Sequence, residues 1–460
     1  MDDTSKNTSA KDVVIERLSL IGSNGETFDI SQGGFVDMIN IYEDLFMPVI
    51  TGTIQITDGT GIFPKLSMHG NEFLVITFVR PGEGRGLPDE KYDKTFRIYK
   101  CDNKRPYAQA QRYVLHFCSE ELLFNNQITL SRKLREGTST DHILRICRND
   151  LRINRKKLKP SNFERSLGPT ELLLAQFKPF DAINYICGHS YNTNESTFLF
   201  FENRDGFNFL SIETLVKREA IIPLQYSTAK VTQDQTTSAF ANYNAVIDFN
   251  FSKVFDILDS TKGTSHNGRL FTLDLITQTY KKYDYSYLNE YTRKMLMDTN
   301  SITSKVSFPF NNARNRNNKS LYEEYGTEVN YWLTNKGHGN LDYFQSRGVR
   351  SIDTEIERTL LQRKAQLNQL RNSEVECVVP GNPALTVGRM VEFELPVFTQ
   401  ENENTRMTDP YLSGKYIVTA LCHTIVGSSL QTRITLSKNS YNDNLDPYTD
   451  SQNFKRARDY

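Results

Sequence analysis

Two distant stretches of the sequence, residues 12–124 and 374–440, repeat one pattern of alternating polar and apolar residues, and only the middle of the chain differs. Alternation with a period of two predicts strands that bury one face. A chain that builds two similar sheets is typically a scaffold or part of a ring, and we expect each stretch to form a barrel. The predicted strands are residues 49–59, 72–78, 96–99, 113–120, 375–381, 389–393, 414–420 and 432–436.

The size and charge of the chain limit its partners. Its 460 residues are enough for roughly two to four domains with ample core. It carries 55 basic and 55 acidic residues, so no overall field attracts nucleic acid or a membrane surface. We therefore expect the partners to be proteins.

The cysteines and the first ten residues indicate the cellular compartment in which the chain folds. The cysteines show neither a Cys-x-x-Cys pair nor a histidine spacing that suits zinc, so we expect buried free thiols. The first ten residues lack the apolar core of a signal peptide, and no apolar run approaches the roughly 18 residues of a membrane helix. We expect folding in a cytoplasm, without stable membrane insertion. The cysteines are Cys101, Cys118, Cys147, Cys187, Cys377 and Cys422.

The middle of the chain has a different period. Apolar residues at helical spacing over 143–151 and 178–187 predict two short helices. Residues 197–211 predict a hairpin with Asp205 and Gly206 in its turn. The region is therefore predicted to be a compact α/β unit. The candidate caps of the first helix are Ser139, Thr140 and Asp141.

A long excursion separates the middle unit from the final strands. Residues 243–251 predict a strand that opens the second barrel, after which the chain leaves the strand pattern for 261–350. That excursion holds one more strand candidate at 271–275 and an Asn-rich tract at 311–318 that is too polar to pack. We expect a peripheral or partly mobile insertion.

The sequence also predicts a loop, a helix and a tail. Glycine and proline predict an exposed loop at 81–88, and apolar spacing predicts a helix over 352–370. Residues beyond 441 have the character of an extended tail that could dock on a partner.

The predicted domains are a barrel at 1–128, an α/β domain at 129–222, a second barrel at 223–260 and 351–441, an insertion at 261–350 and a tail at 442–460.

No catalytic motif stands out. The sequence lacks a glycine-rich phosphate loop, a Gly-x-Ser-x-Gly elbow and a His-Glu-x-x-His helix. Asp58 and Asp205 precede glycines, which favours turn roles over acid–base roles, and Glu72 is the third carboxylate considered. We predict no catalytic, cofactor-binding or metal-binding residues. The histidines, each expected to be structural, are His69, His116, His142, His189, His266, His338 and His423.

The best candidate for an anion site is a basic segment whose spacing predicts several cations on one side of a helix. A solvated helix face is the simpler interpretation, and nucleic-acid contact is disfavoured because stacking aromatics are absent beside it. The 23 Tyr and 28 Phe residues instead indicate sheet surfaces and interfaces. The segment comprises Arg145, Arg148, Arg152, Arg155, Lys156, Lys157 and Lys159.

Six segments together carry a family resemblance. They are residues 52–58, 70–76, 96–99, 198–207, 385–393 and 414–418. In their order and pattern, the chain resembles the baseplate central hub proteins of contractile-tailed bacteriophages of the T-even type. More remotely it resembles the hub part of the type VI secretion spike protein VgrG.

The resemblance implies an α+β, mainly β fold with two tail-tube-like β-barrel domains, an intervening α/β domain and a long insertion. It implies a non-enzymatic virion protein without cofactors, a homotrimeric hub whose pseudo-sixfold ring joins the tail tube to the central spike. The implied partners are the spike, the tube or tube-initiator protein, baseplate wedge proteins and, transiently, passing DNA. The implied location is the tail baseplate, assembled in the host cytoplasm.

Two alternatives from other classes stay open. A receptor- or polysaccharide-binding tail adhesin would present exposed aromatic platforms and no tube-like ring. A tail-associated glycan hydrolase would bring paired carboxylates together in a cleft.

Overall fold

The computed structural model describes most of the chain. The described residues are 11–32, 34–80, 90–134, 137–168, 172–192, 196–226, 244–254, 267–275, 278–286, 297, 329–334, 356–371, 373–397, 408–409 and 411–440. The predicted loop at 81–88, the Asn-rich tract at 311–318, the tail at 442–460 and most of the insertion lie outside the described residues.

The fold is mainly β, as predicted. The strands are β1 (Val14–Ile21), β2 (Thr27–Asp29), β3 (Val36–Asp44), β4 (Thr51–Asp58), β5 (Phe73–Arg80), β6 (Glu90–Tyr107), β7 (Ala110–Cys118), β8 (Leu130–Leu134), β9 (Leu172–Phe177), β10 (Phe198–Asn203), β11 (Gly206–Ser211), β12 (Ala220–Tyr226), β13 (Ala245–Val246), β14 (Asp248–Lys253), β15 (Asn267–Asp274), β16 (Thr279–Ser286), β17 (Val329–Thr334), β18 (Ser373–Pro380), β19 (Met390–Glu394), β20 (Gly414–Val426) and β21 (Ser429–Lys438). The α-helices are α1 (Ile62–Lys65), α2 (Glu121–Gln127), α3 (Ser139–Arg145), α4 (Pro179–His189), α5 (Ile212–Val216) and α6 (Ile356–Leu370).

The first barrel is a closed ring of strands. Antiparallel pairing runs in the order β1, β5, β6, β7, β4 and β3, and β20 then pairs with β3. The ring closes where the chain before β1 meets the tip of the hairpin formed by β20 and β21. There Val13 N donates to Ser428 O at 2.9 Å, and Leu430 N donates to Lys11 O at 2.7 Å. Closure removes the free edges that an open sheet would expose.

The second barrel closes by similar pairing. Its strands follow the order β12, β19, β20, β21, β18 and β14, with β12 and β19 parallel and the others antiparallel. The short β13 pairs in parallel with β12, and the next residue, Ile247, donates its N–H to Val378 O of β18 at 2.8 Å. The strand predicted over 243–251 therefore bridges the two ends of this barrel.

One long hairpin, β20 with β21, belongs to both barrels and is called the shared hairpin below. Residues 414–417 of β20 pair with β19 of the second barrel, whereas residues 420–425 pair with β3 of the first. The change of partner coincides with a register shift between Val418 and Ala420, and a bulge of this kind bends a strand. One continuous sheet therefore runs through both barrels.

The apolar cores follow the same division. Ile425 and Leu430, near the tip of the shared hairpin, are buried in the core of the first barrel with residues such as Phe96. Leu421 and Ile434, farther from the tip, are buried in the core of the second barrel. Burial of alternate side chains on successive strands is what the sequence pattern predicted.

The region between the barrels packs around a third apolar cluster, formed by β8 to β11, α3 and α4. The predicted hairpin is confirmed as β10 and β11, and its two-residue loop is Arg204 and Asp205. The second predicted helix is confirmed as α4.

Two predictions about this region are wrong. Helix α3 is capped by Thr138, not by one of the three following residues, and Asp141 completes a capping box with it. The basic segment is not one helical face, because α3 ends at Arg145 and a π-helical turn then runs to Asp150. Arg152 adopts a φ of +52°, which ends the helical path, and the later cations lie on an irregular segment.

The expectation of buried thiols holds for four cysteines and is wrong for two. Cys101 is exposed and Cys422 is half-buried. Cys101 lies on the part of β6 beyond residue 100, where the strand is largely exposed. Cys422 lies on the outward face of β20.

Strands β15, β16 and β17 form a separate sheet that contains the strand predicted at 271–275. One face of this sheet packs on α6 through Leu270, Ile356 and Leu361. Helix α6 is the helix predicted over 352–370.

Replacing Leu430 with Ala should lower the free energy of unfolding by about 2–5 kcal/mol, because a buried side chain would leave a cavity in the first barrel. Val426→Ala, on the same hairpin but 53% exposed, is the matched control and should change stability little. Hydrogen exchange should also become faster in β1 and β3 of the Leu430 variant. Faster exchange confined to β18–β21 would contradict the sharing of the hairpin.

Candidate functional site

A group of buried polar side chains lies between the two barrels and the middle unit. We call it the polar junction. It consists of Glu43 of β3, Lys94 of β6, Ser119 just after β7, Glu202 of β10 and Thr386 before β19.

Glu202 is the centre of the polar junction. Its carboxylate accepts hydrogen bonds from Lys94 Nζ at 2.9 Å, Ser119 Oγ at 2.5 Å and the Ile50 backbone N–H at 3.2 Å. Burial raises the pKa of Glu202, but the Lys94 and Lys157 cations together with these hydrogen bonds outweigh burial and hold it below its usual range. Lys94 Nζ also donates to Asn203 O at 2.8 Å, so one ion pair ties β6 to the β10–β11 hairpin.

Glu43 connects the first barrel to the approach to β19. Its carboxylate accepts from Thr386 Oγ1 at 2.5 Å and from the Val387 N–H at 3.3 Å. Burial raises the pKa of Glu43 to about 7, although Thr386 and Lys94 oppose the rise. Glu202 and Glu43 are therefore two neighbouring carboxylates whose pKa values are pushed apart.

A carboxylate pair with separated pKa values is also the arrangement that a glycan hydrolase uses. Here, however, Glu43 and Glu202 are each only 1% exposed, so a glycan chain does not reach them. Their contacts are with side chains and backbone of three different units. The polar junction therefore acts as a clamp that fixes the relative positions of the barrels and the middle unit.

The outward face of the sheet through both barrels carries a row of polar side chains. Thr424 Oγ1 donates to Asn40 Oδ1 at 2.9 Å, and Asn40 Nδ2 donates to Thr53 Oγ1 at 3.4 Å. In the strand register, Gln431 continues this row beyond Thr424, and His116 continues it beyond Thr53. We call this row the outer polar row. It crosses from the shared hairpin into the first barrel without an apolar interruption.

The carboxylates considered from the sequence have local structural contacts. Asp58 accepts the N–H groups of Gly61 and Ile62 at 2.8 and 2.7 Å, and Glu72 accepts those of His69 and Gly70 at 2.7 and 3.0 Å. Asp205 lies in the hairpin loop.

The described histidines have local contacts of their own. His116 Nε2 lies 3.0 Å from Asp102 Oδ2 on the sheet surface, and His423 Nδ1 lies 2.8 Å from Thr432 Oγ1 in the interior. Burial lowers the pKa of His423 to about 4. His189 Nδ1 lies 2.8 Å from Tyr185 O, and His142 is buried in α3. His266 and His338 lie outside the described residues.

Within the described ranges, no three His, Cys, Asp or Glu side chains come together as a metal site would require. None of the described helices combines the length and apolar character needed to cross a membrane.

The sequence patterns did not predict the polar junction, although two of its residues stand out in the sequence. Lys94 occupies an inward position of β6, between the buried Tyr92 and Phe96. Glu202 follows four apolar residues of a strand that is buried on both faces. A lone charge on an apolar face indicates a buried partner, but the sequence does not show which partner.

No family model matches the chain. The "Probable baseplate hub protein gp334" of Vibrio phage KVP40 is 24% identical over 439 residues, which cover 92% of this chain and 94% of that protein. The predicted resemblance to baseplate hub proteins is confirmed.

One solved structure adds support for the fold. A tail protein from Neisseria meningitidis MC58 superposes with a TM-score of 0.50 at 10% identity, covering 92% of this chain and 96% of that one. An Escherichia coli component of the type VI secretion system covers 90% of this chain and 76% of its own, at 9% identity and a TM-score of 0.41. The second is a distant likeness only, whereas the first extends over almost the whole of both chains.

Replacing Lys94 with Met should lower the free energy of unfolding by about 3–5 kcal/mol, because Glu202 would stay buried without its cation. Lys91 is the matched control, since it lies on the same strand, is 49% exposed and pairs with Glu16 at the surface. Lys91→Met should change the free energy of unfolding little, because an exposed ion pair contributes little to stability. Urea unfolding measures the free energy of unfolding of both variants. Equal losses of stability would contradict the role of the polar junction in holding the barrels and the middle unit together.

Glu43 should make stability depend on pH. Because its pKa is raised from 4.5 to about 7, the folded chain keeps a proton between these values that the unfolded chain releases. The stabilisation is fully present below about pH 4.5 and is lost as the pH rises toward 7. Glu43→Gln cannot ionise, so its stability relative to the parent should rise by about 3 kcal/mol between pH 4.5 and pH 8. A difference that is constant with pH would contradict this assignment.

Proposed function

We propose that this chain is a structural baseplate hub that joins a tail tube to a central spike and catalyses no reaction. The observation that carries the proposal is the shared hairpin, which unites two closed barrels in one continuous sheet. The similarity to a baseplate hub protein over nearly the whole chain supports it.

The symmetry of such an assembly follows from the number of barrels in each chain. Three copies supply six barrels, so a homotrimer presents a pseudo-sixfold ring. A ring of this kind matches a sixfold tube on one face and a threefold spike on the other, because the duplication lies inside the chain. In this proposal the joint between β3 and β20 sets the spacing of neighbouring barrels within each subunit.

The outer polar row faces the channel in this proposal. Its Thr, Asn and Gln side chains carry no charge, and His116 at its end lies 3.0 Å from the Asp102 carboxylate, so the row does not hold the phosphate backbone of passing DNA as a basic lining would. Charged neighbours on the same face include Arg112, which pairs with Asp37 at 3.0 Å, and Lys100, which pairs with Asp102 at 2.6 Å. Pairing of these cations supports transient passage of DNA without retention.

The proposed hub keeps the predicted domains except at one boundary. The first barrel extends over 1–128, the α/β domain begins at 129, and the second barrel ends with 351–441. Strand β12, at Ala220–Tyr226, belongs to the second barrel, so this barrel begins near residue 220 and not at the predicted 223. The partners are the spike, the tube or tube-initiator protein and wedge proteins, in a tail baseplate assembled in the host cytoplasm.

A receptor-binding adhesin is the second candidate function, and one observation favours it. The sheet of β15–β17 exposes a stack in which the Phe271 ring lies 5.2 Å from that of Tyr280 and 5.3 Å from that of Tyr331. Tyr331 is 74% exposed. Binding of a defined sugar to this face by a chain that stays monomeric would favour the adhesin.

The native mass of the purified chain tests the hub proposal. We expect about 159 kDa, three times the 53.0 kDa of one chain, either alone or after co-expression with a central spike protein. A concentration series by mass photometry or light scattering separates a stable trimer from weak association. A stable monomer in both samples, especially one that cleaves cell-wall glycan, would overturn the proposal.

A further inference from the structure

We infer that the loop of the β10–β11 hairpin and the starts of β12 and β19 form a binding site for the carboxylates of an acidic protein segment. We call it the arginine site. The inference goes beyond the hub proposal and does not depend on it. The site consists of Lys159, Arg204, Asp205, Arg218 and Arg389.

Strand pairing brings two of the arginines together. Strands β12 and β19 are parallel, with Ala220 opposite Met390. Arg218 and Arg389 therefore precede neighbouring strands at the same end of the sheet. Arg389 Nη2 then donates to Asp205 Oδ2 at 2.9 Å, which ties the hairpin loop to these strand starts.

The hairpin loop is held firmly in this position. A Cβ atom added at Gly206 would lie 2.4 Å from Lys157 O, so the loop packs directly on the backbone of the basic segment. Arg204 Nη1 donates to Glu90 Oε2 and to Pro383 O, both at 2.9 Å. A site fixed in this way loses little conformational entropy when it binds a ligand.

The arginine site carries more positive than negative charge. Its four cations face two carboxylates, those of Asp205 and Glu90. The Arg204, Arg218 and Arg389 cations and Lys159 all lie close enough to Asp205 to interact with it or with each other electrostatically. Two positive charges therefore remain to be balanced.

Donors in the site are left without acceptors. Arg389 Nε is buried and has no hydrogen-bond partner. Within the described residues, no hydrogen bond or ion pair of the Arg218 guanidinium is present, and burial followed by the Arg389 charge lowers its pKa. A half-buried guanidinium without an acceptor is costly, and an incoming carboxylate would remove that cost through paired N–H donors.

An acidic protein segment fits the site better than nucleic acid. Asp205 and Glu90 lie among the arginines and would repel a continuous row of phosphates, whereas separate carboxylates can approach individual guanidinium groups. The exposed Arg152, Arg155 and Lys156 precede Lys159 in the chain and add positive charge to the segment that leads to the site. This surface suits a segment with several Asp or Glu residues in succession. Arg389 is 34% exposed, so the site is open to such a segment.

The test uses the full chain and fluorescence anisotropy with a labelled octaglutamate peptide and a labelled 20-base-pair DNA duplex. We expect the parent to bind the peptide, and Arg218→Gln to bind it about tenfold more weakly with a melting temperature no lower than that of the parent. Lys217→Gln is the matched control, because Lys217 is the adjacent cation but pairs with Glu213 along α5. Lys217→Gln should leave the affinity for the peptide within about twofold of that of the parent, because an exposed charge that already has a partner contributes little.

Three results would overturn the inference. They are no binding of the peptide by the parent, equal effects of the two substitutions, and DNA binding that exceeds peptide binding and is lost in Arg218→Gln. Native mass measured on the same samples keeps this outcome separate from that of the hub proposal. A trimer that does not bind the peptide would overturn only the arginine site.

Discussion

Main-chain pairing between β3 and β20 is the interaction on which the rest of the structure depends. It aligns Ala420 with Asp44 and Ile425 with Ile39, and side chains such as Asn40 and Thr424 that meet across it are 384 positions apart in the sequence. The first barrel closes only when the shared hairpin occupies this position. Formation of so distant a contact carries a loop-closure cost, so folding of the first barrel is coupled to that of the C-terminal strands.

The polar junction restricts the relative positions of the barrels that this pairing joins. Apolar cores tolerate small shifts between packed units, whereas a buried ion pair with three hydrogen bonds to one carboxylate accepts a narrow range of geometry. Glu202 takes its partners from β6, from the end of β7 and from the residue before β4. Glu43 fixes the residues before β19 in the same way, because it accepts a hydrogen bond from Thr386. A scaffold that must present two barrels at a fixed spacing benefits from contacts of this kind.

Local patterns predicted much of the fold, whereas the distant strand pairing had no local signal and the polar junction was marked only by the inward charges of Lys94 and Glu202. The strands, the β10–β11 hairpin and α6 follow from periodicity and turn residues, which act over a few positions. Pairing of Ile39 with Ile425 leaves no trace in either segment, so the hairpin was assigned to the second barrel alone. The basic segment was predicted as a helical face because nothing in its composition indicates the left-handed backbone of Arg152. Lys94 was visible as an inward charge, but its partner depends on tertiary structure.

In the proposed assembly, the two barrels of each chain occupy equivalent positions in one ring. Electron-microscopy class averages of the purified protein, viewed along its symmetry axis, would show whether they do. We expect six similar lobes around an open channel, related by threefold symmetry. A compact particle without a channel, or a ring with three or another number of equivalent lobes, would contradict the proposed assembly.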